Sequence, residues 1–229
     1  MDDFIAGAIA GVVVDVSLFP LDTIKTRMQS SQGFIKAGGF RGIYQGLGPV
    51  AIGSGPGAAA FFVTYERAKQ YLLGKRADGT QRIENKSTAH MLAATVGEFM
   101  ACLVRVPTDV VKSRMQTATT GDVSIASVIK SVRQSPAGMG GLYAGFYATL
   151  LREIPFSMIQ FPLYEASKAH FETDGESSLG SAMCGCASGA FAAFLTTPMD
   201  VVKTRLMLGN DAQGRAYSGV ASTMQRVYA

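Results

Sequence analysis

A chain of 229 residues that is 48% hydrophobic, 17% charged and free of tryptophan carries a formal charge of +4 and a mean hydropathy of +0.20. The positive charge is mild and spread along the connecting stretches, so it supports no nucleic-acid-binding argument and no nucleic-acid partner is expected. Cys102, Cys184 and Cys186 all fall inside apolar runs, an odd set without metal-ligand spacing, so neither a disulfide framework nor a metal site is expected.

The first apolar run, Phe4–Phe19, contains one charge, Asp15. The MDDFIAG start lacks a basic n-region, so no cleavable secretory signal is expected. The run closes at Pro20 in PLDTIKTRMQ, and a polar loop leads to GIYQG at Gly42. Leu47–Val63 carries no charge and ends in TYERAK, and Arg76–Lys86 reads as a polar connector. Phe99–Val104 continues the apolar pattern between Glu98 and Arg105, closing at Pro107. Asp122–Gln134 has apolar residues at Val123, Ile125, Val128, Ile129 and Val132, the spacing of a short surface helix. Its counterpart near Phe34–Lys36 is expected to be abbreviated. Gly145–Leu151 precedes the charged pair Arg152-Glu153, Thr173–Ser178 reads as a connector, and Leu179–Pro198 is uncharged. Transmembrane helices need about 17–25 mostly apolar residues, and these Gly- and Ala-rich runs read as five of them.

The chain repeats itself. PLDTIKTRMQ at Pro20 returns as PTDVVKSRMQ at Pro107 and PMDVVKTRLM at Pro198, 87 and 91 residues apart. GIYQGLGPVAIGSGPGAAAFFVTYERAK at Gly42 aligns without a gap on GLYAGFYATLLREIPFSMIQFPLYEASK at Gly141. Residues 1–75, 87–171 and 177–229 are therefore expected as three repeats, the third ending at Ala229 before its second helix. Five of six helices are expected, and a chain so composed is expected to transport poorly.

Proline within a membrane helix removes a backbone hydrogen bond, so kinks at Pro20, Pro107 and Pro198 are expected to swing three helix ends toward one axis. There the acid of one copy can meet the base of the next: Asp22 with Lys112, Asp109 with Lys203, and Asp200 with Lys25. Buried singly these charges are costly, but in a ring they satisfy one another. Gln29 and Gln116, with Met207 at the matching third position, are expected to brace the ring, since an amide both donates and accepts. Arg27, Arg114 and Arg205 are expected as anchors reaching head groups. Tyr65-Glu66 with Lys69 and Tyr164-Glu165 with Lys168 form a second charged set at the other face, an opposing gate. Gly7/Gly11 and Gly185/Gly189 are GxxxG pairs, and the middle copy has Ala94 and Glu98 there.

The triplicated Pro-x-Asp-x-x-Lys, the GxxxG pairs and the Tyr-Glu-x-x-Lys ends resemble the mitochondrial carrier family over essentially the whole chain. The resemblance implies an all-α membrane fold, tilted helices in threefold pseudo-repeat around a central cavity, in the inner mitochondrial membrane. It also implies that the aspartate–lysine ring is the matrix-side gate, and that access alternates between the two faces. It further implies a monomer in the bilayer, in contact with acidic phospholipid, needing no cofactor. Within the family, the implied substrate is S-adenosylmethionine, exchanged for S-adenosylhomocysteine.

Charges inside apolar runs need a water-filled interior and a role. Asp15, Glu98, Arg152 and Glu153 are the candidates, and the family's contact points fall at Gly53-Ser54 and Arg152-Glu153. An arginine beside an acid suits a zwitterionic amino-acid end, with Asp15 or Glu98 facing a sulfonium. An internal salt bridge is the other reading of Arg152 and Glu153. Glu98 and Arg105, seven apart, are each expected to find partners elsewhere. Phe61, Phe62 and Gln160 either meet an adenine or simply pack. Carriers for other amino-acid-like or nucleotide-like solutes, and a non-transporting isoform, remain open, although several acids disfavour phosphates. His90 and His170 flank helices, and no nucleophile–base pair or metal spacing appears, so an enzyme is not expected.

Overall fold

The computed structural model describes residues 2–74, 83, 85–118, 123–170, 178–211 and 213–228. The expected connectors at Arg76–Lys86 and Thr173–Ser178 fall largely, and Asp122 wholly, outside them. The fold is all-α: α1 (Asp2–Gln29), α2 (Leu47–Leu73), α3 (Lys86–Gln116), α4 (Ile125–Gln134), α5 (Phe146–His170), α6 (Ser178–Leu208) and α7 (Val220–Tyr228), with a short 3-10 helix at Gly138–Tyr143. Among the described residues, α2, most of α3 and most of α6 are long and apolar enough to cross a membrane.

Each long helix outruns its apolar stretch. α1, α3 and α6 continue through Pro20, Pro107 and Pro198 and end nine or ten residues later, so the Asp, Lys and Arg of the repeated motif sit on helix, not loop. Phe161, Leu179 and Phe194 are 66–76% exposed, as expected of side chains that face lipid rather than a protein core.

Neighbouring copies pack through α2 against α3 and α5 against α6. Glycine permits both approaches. The ring of Phe61 on α2 lies 3.2 Å from where a Cβ on Gly97 would stand, while Gly185 and Gly189 face Tyr164 and Gln160 of α5. In the middle copy the contact glycine is thus Gly97, one residue before Glu98, and Glu98 is left free to line the interior.

Two amphipathic helices cover the ends of the Pro-Asp-Lys helices. α4 starts one residue after its N-cap Ser124, whose hydroxyl accepts from Ala126 N at 3.3 Å. Its Val128 and Val132 pack on Val111 and Met115. α7, at Val220, packs on a cluster of Ala148, Val202 and Leu206. Residues 31–46, the first copy's counterpart, form turns with no helix, matching the abbreviation expected there.

Candidate substrate cavity and charged closure

α1, α3 and α6 meet at the ends that follow their prolines. Lys112 Nζ lies 2.8 Å from Asp22 Oδ2, and Lys25 Nζ lies 2.8 Å from Asp200 Oδ2, each pair joining two copies. Lys112 also stands 5.6 Å above the ring of the buried Phe19. The third expected pair does not form: among the described residues no ion pair joins Asp109 to Lys203. Asp109 instead lies 3.7 Å from Arg105 Nε, one helical turn before it on α3. Lys203 shares the small closed-end cavity with Asp109. At this interface Met207 belongs to an apolar cluster with Cys102, Val106 and Val110, and Ser113 Oγ donates to its sulfur at 3.9 Å.

Of the two glutamines expected as braces, Gln116 reaches an ion pair. Gln116 Nε2 donates to Asp22 Oδ2 at 2.9 Å and to Thr23 Oγ1 at 3.0 Å. Among the described residues Gln29 bonds to no ion-pair member; its Oε1 accepts from Thr204 Oγ1 at 2.6 Å.

The three motif arginines are not head-group anchors. Arg27 is fully buried, and its guanidinium donates to the carbonyls of Gln116, Gly39 and Arg41 at 2.7 Å and of Gly42 at 3.2 Å. Arg114 donates to Met207 O at 3.1 Å, and Arg205 to Gln29 O at 3.4 Å. Each arginine therefore caps the last turn of the next copy's helix, in a closed cycle. The last carbonyls of a helix lack intrahelical partners and carry the negative end of its dipole, which is where a guanidinium is most useful.

The opposite mouth is charged but not joined. Lys69 Nζ pairs at 2.7 Å with Glu66 on its own helix and lies 5.3 Å above the Tyr65 ring. Lys168 likewise stands 5.4 Å above Tyr164. Tyr65 Oη shares a hydrogen bond of 2.8 Å with His90 Nδ1. Among the described residues no ion pair crosses between the two Tyr-Glu-x-x-Lys elements, and Glu165 pairs with none.

Between the ends lies a cavity of about 330 Å³ lined by Ser54, Phe61, Phe62, Glu98 and Arg105 with small residues. Gly53, expected beside Ser54 as a contact point, is buried against α3; a Cβ there would overlap the Thr108 side chain. Asp15 is exposed on α1, and no polar contact to it is found among the described residues.

Arg105 finds the partners elsewhere that its spacing called for, in Glu153 and Asp109, and pairs with Glu98 as well. Its Nη2 lies 3.2 Å from Glu98 and 3.3 Å from Glu153. Two turns of helix rise about 10 Å, a span that two long extended side chains cover. Arg152 meets Glu153 at 3.0 Å and Asp200 Oδ1 at 2.9 Å, and its guanidinium carbon stands 4.4 Å above the Phe156 ring. Chemically the cavity offers Glu98 and Arg105 beside Phe61 and Phe62, while Glu153 and Arg152 do not line it and join it only through Arg105.

A family model described as "Mitochondrial carrier protein" matches residues 1–76, 84–175 and 174–229. The mouse "Mitochondrial S-adenosylmethionine carrier protein" is 50% identical over 228 residues, which is 98% of this chain and 80% of the relative. The protein of the same description from Xenopus tropicalis is 48% identical over 98% of this chain and 81% of its own length. The Drosophila melanogaster "S-adenosylmethionine mitochondrial carrier protein homolog" is 48% identical over 89% of this chain and 71% of its own.

Proposed function

The chain belongs to the mitochondrial carrier family, a family of transporters rather than enzymes, and on that footing we propose that it carries S-adenosylmethionine into mitochondria in exchange for S-adenosylhomocysteine. It works as a multi-pass protein of the inner mitochondrial membrane, as a monomer with acidic phospholipid at its surface, by opening its two mouths in alternation. Residues 1–75, 87–171 and 177–229 act as its three repeats.

The observation that carries the substrate reading is Arg152 beside Glu153, joined to the cavity through Arg105, with both side chains less than one-fifth exposed. Arg152 takes the substrate carboxylate with a forked hydrogen bond, and Glu153 takes the ammonium. Glu98 or Asp15 faces the sulfonium, Ser54 contacts the ribose, and the Phe61–Phe62 wall meets the adenine. Asp22, Asp109 and Asp200 with Lys25, Lys112 and Lys203 are the matrix gate. The Tyr65 and Tyr164 elements are the opposing one. S-adenosylmethionine has one positive charge more than S-adenosylhomocysteine. A matrix-negative potential therefore favours the inward direction of exchange by about 2.3 kcal/mol per 100 mV.

Thermal unfolding of the purified protein tests the substrate. S-adenosylmethionine at a hundred times its Kd is expected to add about 2.7 kcal/mol of stability, seen as a raised Tm, and adenosine with free methionine much less. Arg152→Ala is expected to abolish the shift. A Tm that S-adenosylmethionine leaves unmoved, or one that moves equally in Arg152→Ala, would contradict the proposal.

A further inference from the structure

One unbroken line of alternating charge runs from the cavity wall to the closed mouth. Glu98 meets Arg105 at 3.2 Å, Arg105 meets Glu153 at 3.3 Å, and Glu153 meets Arg152 at 3.0 Å. Arg152 meets Asp200 at 2.9 Å, and Asp200 meets Lys25 at 2.8 Å. The line crosses from α3 to α5, α6 and α1, so it ties the interior wall to the ends of two other copies.

The link between Arg152 and Asp200 has particular geometry. Asp200 is 6% exposed and divides its oxygens, Oδ1 toward Arg152 and Oδ2 toward Lys25. Arg152 Nε is buried, near Oδ1 in distance, yet has no acceptor aligned with its N–H. Charge holds this contact without a well-directed hydrogen bond. A carboxylate better placed for the guanidinium fork would draw it away.

We propose that Asp200 and Lys25 are positioning residues that tune the substrate site from the gate. Asp200 competes with the substrate carboxylate for Arg152, and Lys25 weakens that competition by holding Asp200. The proposal rests on reading Arg152 as the carboxylate anchor. A zwitterionic end can enter this line without leaving any charge alone. Its carboxylate replaces Asp200 on Arg152, and its ammonium replaces Arg105 on Glu153. Asp200 keeps Lys25, while Arg105 keeps Glu98 and Asp109. A ligand with the ammonium alone satisfies Glu153 but gains nothing from Arg152, so Asp200 does not compete with it. The selectivity for an amino-acid end is thus set partly by residues that never touch it.

Dissociation constants for S-adenosylmethionine and its decarboxylated analogue, measured on the purified protein, test this directly. The analogue keeps the sulfonium, ammonium and adenosine and lacks only the carboxylate. Asp200→Asn removes the competitor and is expected to tighten S-adenosylmethionine binding by up to about fivefold. Lys25→Gln leaves Asp200 wholly to Arg152 and is expected to weaken binding by a similar factor. Neither is expected to change affinity for the analogue. Two substitutions that shift affinity in the same direction, or that move the analogue in parallel, overturn the proposal, as does an absence of any shift. Should Asp200→Asn fail to fold, Lys25→Gln still decides through the comparison of the two ligands. Arg152→Ala separates the levels: if it leaves S-adenosylmethionine binding intact, the anchor reading falls and this proposal with it. If it abolishes binding while the opposed shifts are missing, only this proposal falls.

Discussion

Arg27 shows how much one side chain does in this fold, and how little of that its position in the motif reveals. Its buried guanidinium satisfies four carbonyl oxygens, among them the last one of α3, and brings the loop at Gly39–Gly42 against the helix end. Lysine carries the same charge but no planar fork, so Arg27→Lys leaves several carbonyls without a donor. That substitution is expected to cost about 2–4 kcal/mol, read as a lowered Tm of the purified protein. A Tm equal to that of the unsubstituted protein would show that the carbonyls find other donors. Sequence spacing finds a charge three times over, yet does not reveal whether it faces a lipid head group or a neighbouring helix end. The same limit applies to which partners Arg105 takes. Its three carboxylate neighbours come from two helices, and the contact with Glu153 depends on how α5 lies beside α3. Arg105 lies two residues before Pro107, while the matching positions hold Leu18 and Thr196. That break in the repeat was the available signal. It is the base that takes Asp109 from Lys203.

At the scale of elements, five long helices and the surface helix α4 were legible, because apolar runs and a 3.6-residue period are local properties. Their ends were not. The apolar runs stop near the prolines, whereas the helices run on through the charged motif, held there by contacts between copies that no window of sequence contains. The glycines of α2 make a sharper case. Gly53 and Gly55 are two apart in an uncharged run, and although the family resemblance marks Gly53 as a contact point, sequence gives no reason to expect it to be the more tightly packed of the two. In the folded helix a Cβ on Gly53 would strike Thr108 of α3, while a Cβ on Gly55 would meet nothing within 4 Å beyond its own turn of helix. Gly53→Ala is expected to destabilise the α2–α3 contact by about 1–3 kcal/mol, the usual cost of overpacking. Gly55→Ala is expected to be neutral, or stabilising by up to about 1 kcal/mol through helix propensity. Thermal unfolding of the two variants side by side measures this, and equal losses would mean that the close approach at Gly53 is not what the helix pair depends on.

The molecule as a whole is a threefold pattern with one deliberate-looking departure. Three copies place their acids and bases so that neighbours can join, and the copy-to-copy arrangement follows from the repeat itself, which is why it could be read before any coordinates. Two of the joints carry an Asp–Lys ion pair; at the third, Met207 clusters with Cys102, Val106 and Val110 where the other copies carry glutamine at that position. The pairs are partly exposed, Lys25 at 54% and Asp22 at 41%, so each is expected to contribute at most about 1 kcal/mol. The direct test is a charge exchange across the first joint, with Tm measured for Asp22→Lys, Lys112→Asp and the two combined. Either single reversal sets like charges together and is expected to lower Tm. The combined variant restores an attractive pair and is expected to recover most of the loss. A combined variant that is no more stable than the sum of the single losses predicts would contradict closure by ion pairs between copies.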